Sequence, residues 1–291
     1  MNGTKNQITA WLLLLPAVVL LAAFTHVPAV MTFINSFYST PRGTRPAKFK
    51  GADQYANMLA DPVFLAALKN NAIYAIGTVP AAIGLALLMA LIVNSSIRGK
   101  SLLRMSFFLP TVLPMIAVAN IWLFFYTPGY GLIDRVLAPF GFAETNWLGD
   151  PSTALGSLMV LAVWKEAGFF MIFYLAALQQ ISPSLSEAAS LEGASRWYFF
   201  RRVTFPLLMP TTLFVLINAV INSFRLIDHV IVLTRGGPDN ASTLLLYYIY
   251  QTGFRFWDTG YAAALTMVLL ALLAALAFIQ FGALDRKVHY K

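Results

Sequence analysis

Long apolar runs separated by short charged segments make up most of this chain. Five intervals contain no charged residue, and they lie between Lys5 and Arg42, Lys69 and Arg98, Arg104 and Asp134, Arg202 and Arg225, and Asp258 and Asp285. Each interval holds about the 20 apolar residues that an α-helix needs to cross a bilayer. A further run is apolar except for the adjacent pair Lys165-Glu166 at its centre. The pattern predicts an all-α membrane protein of one domain (1–291), with six transmembrane helices near residues 11–36, 70–93, 105–126, 153–178, 207–227 and 260–281.

Composition supports this assignment and excludes several kinds of site. The 291-residue chain is 59% hydrophobic and 11% charged, whereas soluble domains carry about 25% charged residues. Since there is no cysteine, disulfides, thiolate metal sites and cysteine nucleophiles are excluded. The histidines His26, His229 and His289 have no metal-ligand spacing. We attribute the formal charge of +8 to loops that face anionic membrane lipid, and not to nucleic-acid binding, because the basic residues form no stripe with stacking aromatics.

The N-terminus and the loop charges set the expected topology. The first apolar run continues to about Phe37, which is longer than the apolar region of a signal peptide, so we expect a retained helix. An even number of helices puts both termini on one side. With cytoplasmic termini, ten Lys and Arg residues lie inside and eight outside, a narrow margin because residues 42–50 are unusually basic. The positive-inside rule therefore favours cytoplasmic termini.

A short polar island occupies the loop 179–206, between the fourth and fifth predicted helices. Ser184 as N-cap and Glu187 three positions later predict a capping box, and the small apolar residues that follow favour a helix near 184–196. Gly193 provides either a close approach or a break. Pro206 opens the next helix, where a missing N–H costs little. A helix of this kind suits docking into the groove of a partner or lying on lipid headgroups, and the residues alone leave both open.

The layout of this island resembles the cytoplasmic EAA loop of permease subunits from binding-protein-dependent ABC importers. That pattern runs Glu-Ala-Ala, three residues, Gly, nine residues, Ile, one residue, Leu-Pro. Glu187-Ala188-Ala189, Gly193 and Pro206 match it, while Glu192, Val203 and Phe205 replace the usual Asp, Ile and Leu. The resemblance implies that contacts with an ATPase come from Glu187, Ala188, Ala189, Leu191, Glu192, Gly193, Ala194 and Pro206.

Other segments extend the resemblance over nearly the whole chain. Trp164, Gly168 and Ala176-Ala177-Leu178-Gln179 resemble the preceding helix of the carbohydrate-importer branch, and Gly236-Gly237-Pro238 resembles the last outer loop of maltose- or glycerol-phosphate-type first permease subunits. The resemblance implies a permease fold in the bacterial cytoplasmic (inner) membrane. It also implies a second permease subunit, two copies of an ABC ATPase and a periplasmic or lipid-anchored solute-binding protein as partners. ATP and Mg would bind to the ATPase, so this chain would carry no cofactor and would not be an enzyme.

Polar and charged residues inside the predicted spans are candidates for the substrate pathway. Lys165 and Glu166 point about 100° apart on a helix, and both a functional and a structural role remain open. Asn218, Asn222 and Arg225 share one face of the fifth helix, which must meet a cavity or another helix. Ser223 lies beside this stripe and Asp228 continues it. The resemblance implies substrate contacts near the middle of this helix.

The third predicted helix supplies further candidates. Asn120, Trp122 and Tyr126 would provide a hydrogen-bonding group and aromatic platforms for a polyol or sugar, or the two aromatic residues would belong to an interfacial belt. Pro110 and Pro114 indicate either a helix that lines a path or a kink required by packing.

Two other classes of function compete with the importer. An ion-coupled secondary transporter would use Lys165, Glu166, Arg225 or Asp228 without partner proteins, but no inverted repeat is visible. An integral-membrane enzyme would need a metal cluster or a nucleophile–base pair, and the sequence offers neither. Gly99-Lys100-Ser101 looks like the end of a P-loop, but Asn94 occupies the position of the first required glycine. The basic segment 42–50 and Arg225 suit an anionic solute or an acidic binding protein, which leaves the solute open.

Overall fold

The structure, a computed structural model, describes residues 3–95, 97–141 and 144–284. Within these ranges the chain is helical, and β-structure is limited to isolated bridges between Tyr38 and Phe49 and between Arg42 and Arg45. The α-helices are Gly3–Leu21, Val27–Asn35, Asp53–Leu59, Pro62–Asn94, Lys100–Val112, Met115–Phe125, Leu132–Leu137, Ala154–Gln179, Pro183–Leu191, Arg196–Phe199, Phe205–Leu207, Met209–Arg225, Asp228–Leu233, Leu245–Tyr250 and Thr259–Leu284. Ala22–His26, Phe200–Thr204 and Gln251–Arg255 are π-helical turns, and Ala138–Phe140 is a 3₁₀ turn.

Among the residues that the structure describes, five continuous helical segments are long and apolar enough to cross a membrane. They are Thr9–Asn35, Pro62–Asn94, Ala154–Gln179, Met209–Leu233 and Thr259–Gln280. Lys100–Val112 and Met115–Phe125 make a sixth crossing if they are counted together, although their axes are bent by 103°. The predicted all-α membrane fold is confirmed, with five continuous spans and one broken pair (Lys100–Val112 with Met115–Phe125).

The single helix predicted near 105–126 is wrong, because the chain breaks at Leu113 and Pro114. Leu113 is extended (φ −75°, ψ 138°), and so is Pro114 (φ −56°, ψ 140°). A residue before proline avoids the α region, and proline has no N–H to continue the helical ladder. Pro110, by contrast, lies buried inside the first helix of the broken pair. A break at membrane depth survives only where protein or water satisfies the freed carbonyls.

The coupling segment (residues 183–194) also departs from its predicted form. Its helix is Pro183–Leu191 and not 184–196, with Ser182 at the N-cap position. The predicted capping box of Ser184 and Glu187 is absent because Ser184 already lies inside the helix. A proline at the first helical position fits this earlier start, since its missing N–H has no helical partner to lose. Gly193 has φ +71°, a left-handed conformation that ends helices and favours glycine.

The described residues fall into two compact units, one made of the residues up to Asp61 with Ile249–Leu272 and the other of Pro62–Tyr248 with the residues from Leu273 onward. In the second unit, Ala82, Ala86 and Ala90 form one fully buried face of Pro62–Asn94 and belong to the same core as Phe170 and Tyr174 of Ala154–Gln179. Small residues on a helix face allow two axes to approach closely in a membrane protein. This close packing brings the centre of Ala154–Gln179, with Lys165 and Glu166, into the interior of the unit.

Candidate solute pathway and coupling segment

Lys165 caps the break between the two helices of the broken pair. Its Nζ donates to the carbonyl oxygens of Pro110 at 2.8 Å and Leu113 at 2.6 Å, and lies 3.5 Å from that of Thr111. These carbonyls are at the C-terminal, negative end of Lys100–Val112, where a cation is favoured. An ammonium has three N–H donors. The donors of Lys165 are therefore committed to the broken backbone and are not free to bind a solute.

Gly168 explains how the lysine reaches the break. A Cβ atom at this position would lie 2.1 Å from the carbonyl oxygen of Phe107 and 3.2 Å from Oγ1 of Thr111. The backbones of Ala154–Gln179 and Lys100–Val112 therefore touch at Gly168, one turn from Lys165. Only a residue without a side chain fits this approach.

Glu166 has the opposite environment from its neighbour Lys165. Its side chain lines the same small cavity as that of Asn222, and Oε1 is buried and has no hydrogen-bond partner among the described residues. Oγ1 of Thr111 is likewise buried and unpartnered there. An unpaired polar atom at membrane depth is costly. These two oxygens therefore need a ligand or water.

A small cavity connects these groups, and we call it the membrane pocket. It has a volume of about 140 Å³, and its lining is Thr111, Met115, Lys165, Glu166, Phe169, Asn222 and Leu226. At about 30 Å³ for each water, it holds a few water molecules or the polar edge of a solute. Its available groups are a carboxylate oxygen that accepts hydrogen bonds, a hydroxyl and an amide.

The other candidates on the fifth span lie outside the membrane pocket. Asn218 donates its amide to the carbonyl of Phe214 at 2.7 Å, within its own helix. Ser223 is buried, and its hydroxyl donates to Val220 O at 2.7 Å. Arg225 is exposed, and Asp228 is half-buried. Of the stripe predicted on this helix, only Asn222 joins Lys165 and Glu166 in the pocket.

Trp122 and Tyr126 line a second cavity, the aromatic pocket, of about 740 Å³, which also includes Trp147 and Trp164. The hydroxyl of Tyr126 is occupied, because it donates to Ser157 O at 2.7 Å. Asn120 does not line this pocket, and its amide donates to Ile116 O at 2.8 Å. The aromatic platforms predicted from the sequence therefore lie together, but apart from the charged pair and from Asn120.

The sequence did not single out a buried polar network on Pro62–Asn94. Asn71 donates to Ser223 O at 3.0 Å and accepts from Leu245 N at 2.8 Å. The Tyr74 hydroxyl is 3.0 Å from Nε2 of His229. The spacing of Asn71 and Tyr74 in an otherwise apolar run is the signal that would have found them. This network fixes the end of the fifth span, on which Asn222 is placed.

An acidic residue holds the segment that follows the broken pair. Gly129 N donates to the Asp134 carboxylate at 2.8 Å and Trp147 Nε1 at 2.7 Å. These hydrogen bonds, first that of Gly129 and then that of Trp147, lower the pKa of Asp134 below its ordinary value. The ionised form therefore stabilises this segment, which borders the aromatic pocket through Trp147.

The coupling segment presents its residues outward. No residue of Pro183–Leu191 is buried, and Leu191 is 89% exposed. Glu187, Ala188, Glu192, Gly193 and Pro206 are exposed, while Ala189 and Ala194 are half-buried. The N–H of Ala194 donates to Ala189 O at 2.9 Å and closes the turn. Exposed apolar side chains on a short helix favour a protein partner.

Three comparisons with known proteins agree with this geometry. Residues 82–290 match the model of a family described as binding-protein-dependent transport system inner membrane component. The chain is 35% identical over 288 residues to the lactose transport system permease protein LacF of Rhizobium radiobacter, covering 97% of this chain and 96% of that protein. It is 32% identical over 286 residues to the sn-glycerol-3-phosphate transport system permease protein UgpA of Agrobacterium fabrum, covering 98% and 97%. A bacterial ABC transporter involved in the import of the acidic polysaccharide alginate shares the fold, with a TM-score of 0.85 at 23% identity over 97% of this chain and 96% of that chain.

Proposed function

We propose a function from the premise that this chain belongs to the family of binding-protein-dependent transport system inner membrane components. Together with a second permease, it forms the translocation pathway for a sugar, sugar derivative or glycerol-phosphate. The chain is a multi-pass permease subunit of an ABC importer in the inner membrane, and it is a transport subunit and not an enzyme. The observation that carries the solute proposal is the membrane pocket, whose free oxygens suit a hydroxyl-bearing solute.

The coupling segment lies in the sequence between two of the spans that line the pocket. Ala154–Gln179 leads into it and Met209–Arg225 leads away from it. Glu166 is 13 residues before the end of the first helix, and Asn222 is 13 residues after the start of the second. At 1.5 Å per residue, both lie about 20 Å from these helix ends. Movement of the coupling segment therefore acts on the pocket through both Glu166 and Asn222.

This arrangement supports an alternating-access mechanism. Two ATPase copies bind ATP and Mg, close, and move the coupling segments of this chain and of the second permease. The attached spans tilt, and the pocket opens to the side where a periplasmic or lipid-anchored binding protein delivers the solute. Hydrolysis on the ATPases resets the spans. This chain binds no cofactor in the cycle, and its two termini lie in the cytoplasm.

The N-terminal span supports the proposed pairing with a second permease. This span is Thr9–Asn35, and no residue of its most apolar stretch is buried within this chain. Leu13 and Phe24 are each 77% exposed. Such a helix must contact lipid or another membrane protein. A second permease subunit in the same membrane would cover part of this surface.

Polar groups in the membrane pocket indicate how a solute is held. Since the donors of Lys165 are used by the broken backbone, Glu166 Oε1 is an oxygen that is left to contact the solute. A carboxyl oxygen accepts hydrogen bonds from hydroxyl groups. We therefore expect the hydroxyl-bearing part of the solute at this pocket, including in the case of a glycerol-phosphate.

Copurification tests the assignment of partners. The chain is tagged, extracted in mild detergent and analysed by mass spectrometry. A second six-helix permease and a P-loop ATPase in the same complex are the expected result. A homo-oligomer without an ATPase, together with uptake that survives deletion of every partner ATPase, would instead support the ion-coupled transporter.

A further inference from the structure

The basic hairpin (residues 38–50) carries a dense cluster of cations that the transport proposal does not use. Ser39 N donates to Lys48 O at 2.8 Å, and Arg42 and Arg45 exchange two backbone hydrogen bonds of 3.2 and 3.0 Å. The segment is therefore a closed turn and not a free loop. Its cationic side chains are held near one another.

The hairpin is fixed to the start of the last membrane span. A Cβ atom at Gly260 would lie 2.4 Å from Tyr38 O and 3.0 Å from Thr40 N. Gly260 N donates to Oγ1 of Thr40 at 2.8 Å, and that hydroxyl donates to Asp258 Oδ1. The cluster consequently has a defined position beside the first turn of Thr259–Leu284.

A pocket of about 410 Å³ lies between the hairpin and this turn, and its charged lining is Arg42, Arg45, Lys48, Lys50 and Asp258. Four cations against one carboxylate leave a formal excess of three positive charges. The carboxylate is already used, since Asp258 Oδ1 also accepts from Tyr261 N at 3.2 Å. None of the four cations has an ion pair with a described residue. Their mutual repulsion would be relieved by an anion in the pocket.

The ends of two membrane spans lie beside this pocket, which indicates a position near the lipid headgroups. The span Thr9–Asn35 ends just before the hairpin, and the span Thr259–Gln280 begins directly after Asp258. Three aromatic side chains of the same unit are strongly exposed: Phe49 at 70%, Phe256 at 67% and Trp257 at 71%. Exposed aromatic rings at the ends of spans are typical of the boundary between headgroups and acyl chains.

We propose that this pocket binds the phosphate of an anionic phospholipid headgroup. Guanidinium and ammonium groups are the usual ligands for phosphate, and Arg binds it through paired N–H donors. The exposed rings favour a lipid over a soluble anion, because they would contact its acyl chains. The site is independent of the transported solute, and it gives the basic hairpin a function in the membrane.

Lipid retention by the intact transporter tests this site. The complex is reconstituted in nanodiscs of phosphatidylcholine and phosphatidylglycerol, and the phosphatidylglycerol that it retains after extraction is counted by native mass spectrometry. The variant Arg42→Gln/Arg45→Gln/Lys48→Gln should retain less, by about tenfold or more. The matched control Arg98→Gln/Lys100→Gln/Arg104→Gln removes as many cations near another span and should retain the lipid. Arg42→Lys/Arg45→Lys preserves the charge and should also retain it, which separates charge loss from misfolding.

Three results would overturn the proposal. Equal retention by the two glutamine variants would show that the pocket has no lipid selectivity. Displacement of the retained lipid by soluble sn-glycerol 3-phosphate would make it a solute site. Unchanged lipid retention with lost association of the solute-binding protein would make it a protein-docking surface.

Discussion

The membrane pocket and the coupling segment both concentrate polar residues in a largely apolar chain, but they use them in opposite ways. In the pocket, the ammonium group of Lys165 donates to three backbone carbonyls, and Glu166 Oε1 is buried without a hydrogen-bond partner among the described residues. In the coupling segment, Glu187 and Glu192 are exposed to solvent. The pocket therefore uses Lys165 to stabilise the broken backbone and leaves Glu166 available to a ligand, whereas the coupling segment has surface available for a protein partner. Substitutions around Lys165 should therefore lower the stability of the protein, whereas substitutions in the coupling segment should lower uptake without unfolding it.

The largest expected effect follows from Lys165→Met. The substitution leaves the carbonyls of the broken pair without a donor at membrane depth, and each unsatisfied buried group costs about 1–3 kcal/mol. We expect a loss of about 3 kcal/mol or more in stability, together with loss of uptake. Thermal unfolding of the purified complex and solute uptake measure the two effects.

Lys165→Arg is the control for this change. It restores a cation and N–H donors, although with a different shape, and it should recover part of the stability. Normal melting and normal uptake by Lys165→Met would show that the break does not depend on this cap.

Gly168→Ala should have the next largest effect. The added Cβ would lie 2.1 Å from Phe107 O, so the two helices must separate and Lys165 must lose part of its contact with the break. We expect a destabilisation of about 1–3 kcal/mol, measured by thermal unfolding. Gly156→Ala on the same helix is the matched control, because a Cβ there meets no atom within 4 Å. Equal melting temperatures of the two variants would contradict the close approach of Gly168 to Lys100–Val112.

Asn222→Ala tests solute binding in the membrane pocket. The change removes an amide that lines the pocket together with Glu166 and should raise the KM for uptake by about tenfold, while the complex still assembles. Asn218→Ala is matched in chemistry, but that amide bonds only within its helix, so its KM should stay within about twofold. A similar KM for the two variants would show that the solute does not bind in the membrane pocket.

The smallest effect is expected outside both regions, at Asp134. Because its pKa is lowered in the folded protein, its ionised form contributes stability above the ordinary aspartate pKa of about 3.9. That contribution is lost as the pH falls through the lowered, folded-state pKa. Trp147 fluorescence during acid titration should report loosening of this segment, and Asp134→Asn should remove the acid dependence. An unchanged acid transition in Asp134→Asn would contradict this account.

Apolar runs were sufficient to predict the spans, because a long charge-free interval has few alternatives to crossing a membrane. The break at Leu113 and Pro114 could not be predicted in the same way. Pro110 and Pro114 look alike in the sequence, yet Pro110 continues its helix and only Pro114 follows a break. The difference depends on a distant donor, Lys165, which no local pattern reveals.

The candidate pathway residues also show a limit of prediction from the sequence. Asn222 and Ser223 are neighbours in the sequence, but Asn222 lines the membrane pocket and Ser223 is buried against Asn71. The helical period places them about 100° apart, but only the packed structure shows which direction faces a cavity. For the coupling segment, the family pattern named the residues, and the structure adds that most of them are exposed.

The most direct test of the account is the coupling of ATP hydrolysis to uptake in the purified complex with Glu187→Lys. The reconstituted variant is compared with the natural protein for assembly, ATPase rate and solute uptake in the same proteoliposomes. The account predicts that the variant folds and melts normally, loses at least about tenfold in uptake, and hydrolyses ATP without response to the solute-loaded binding protein. Normal uptake and normal stimulation in Glu187→Lys would contradict the claim that this exposed segment links the ATPase to the membrane pocket.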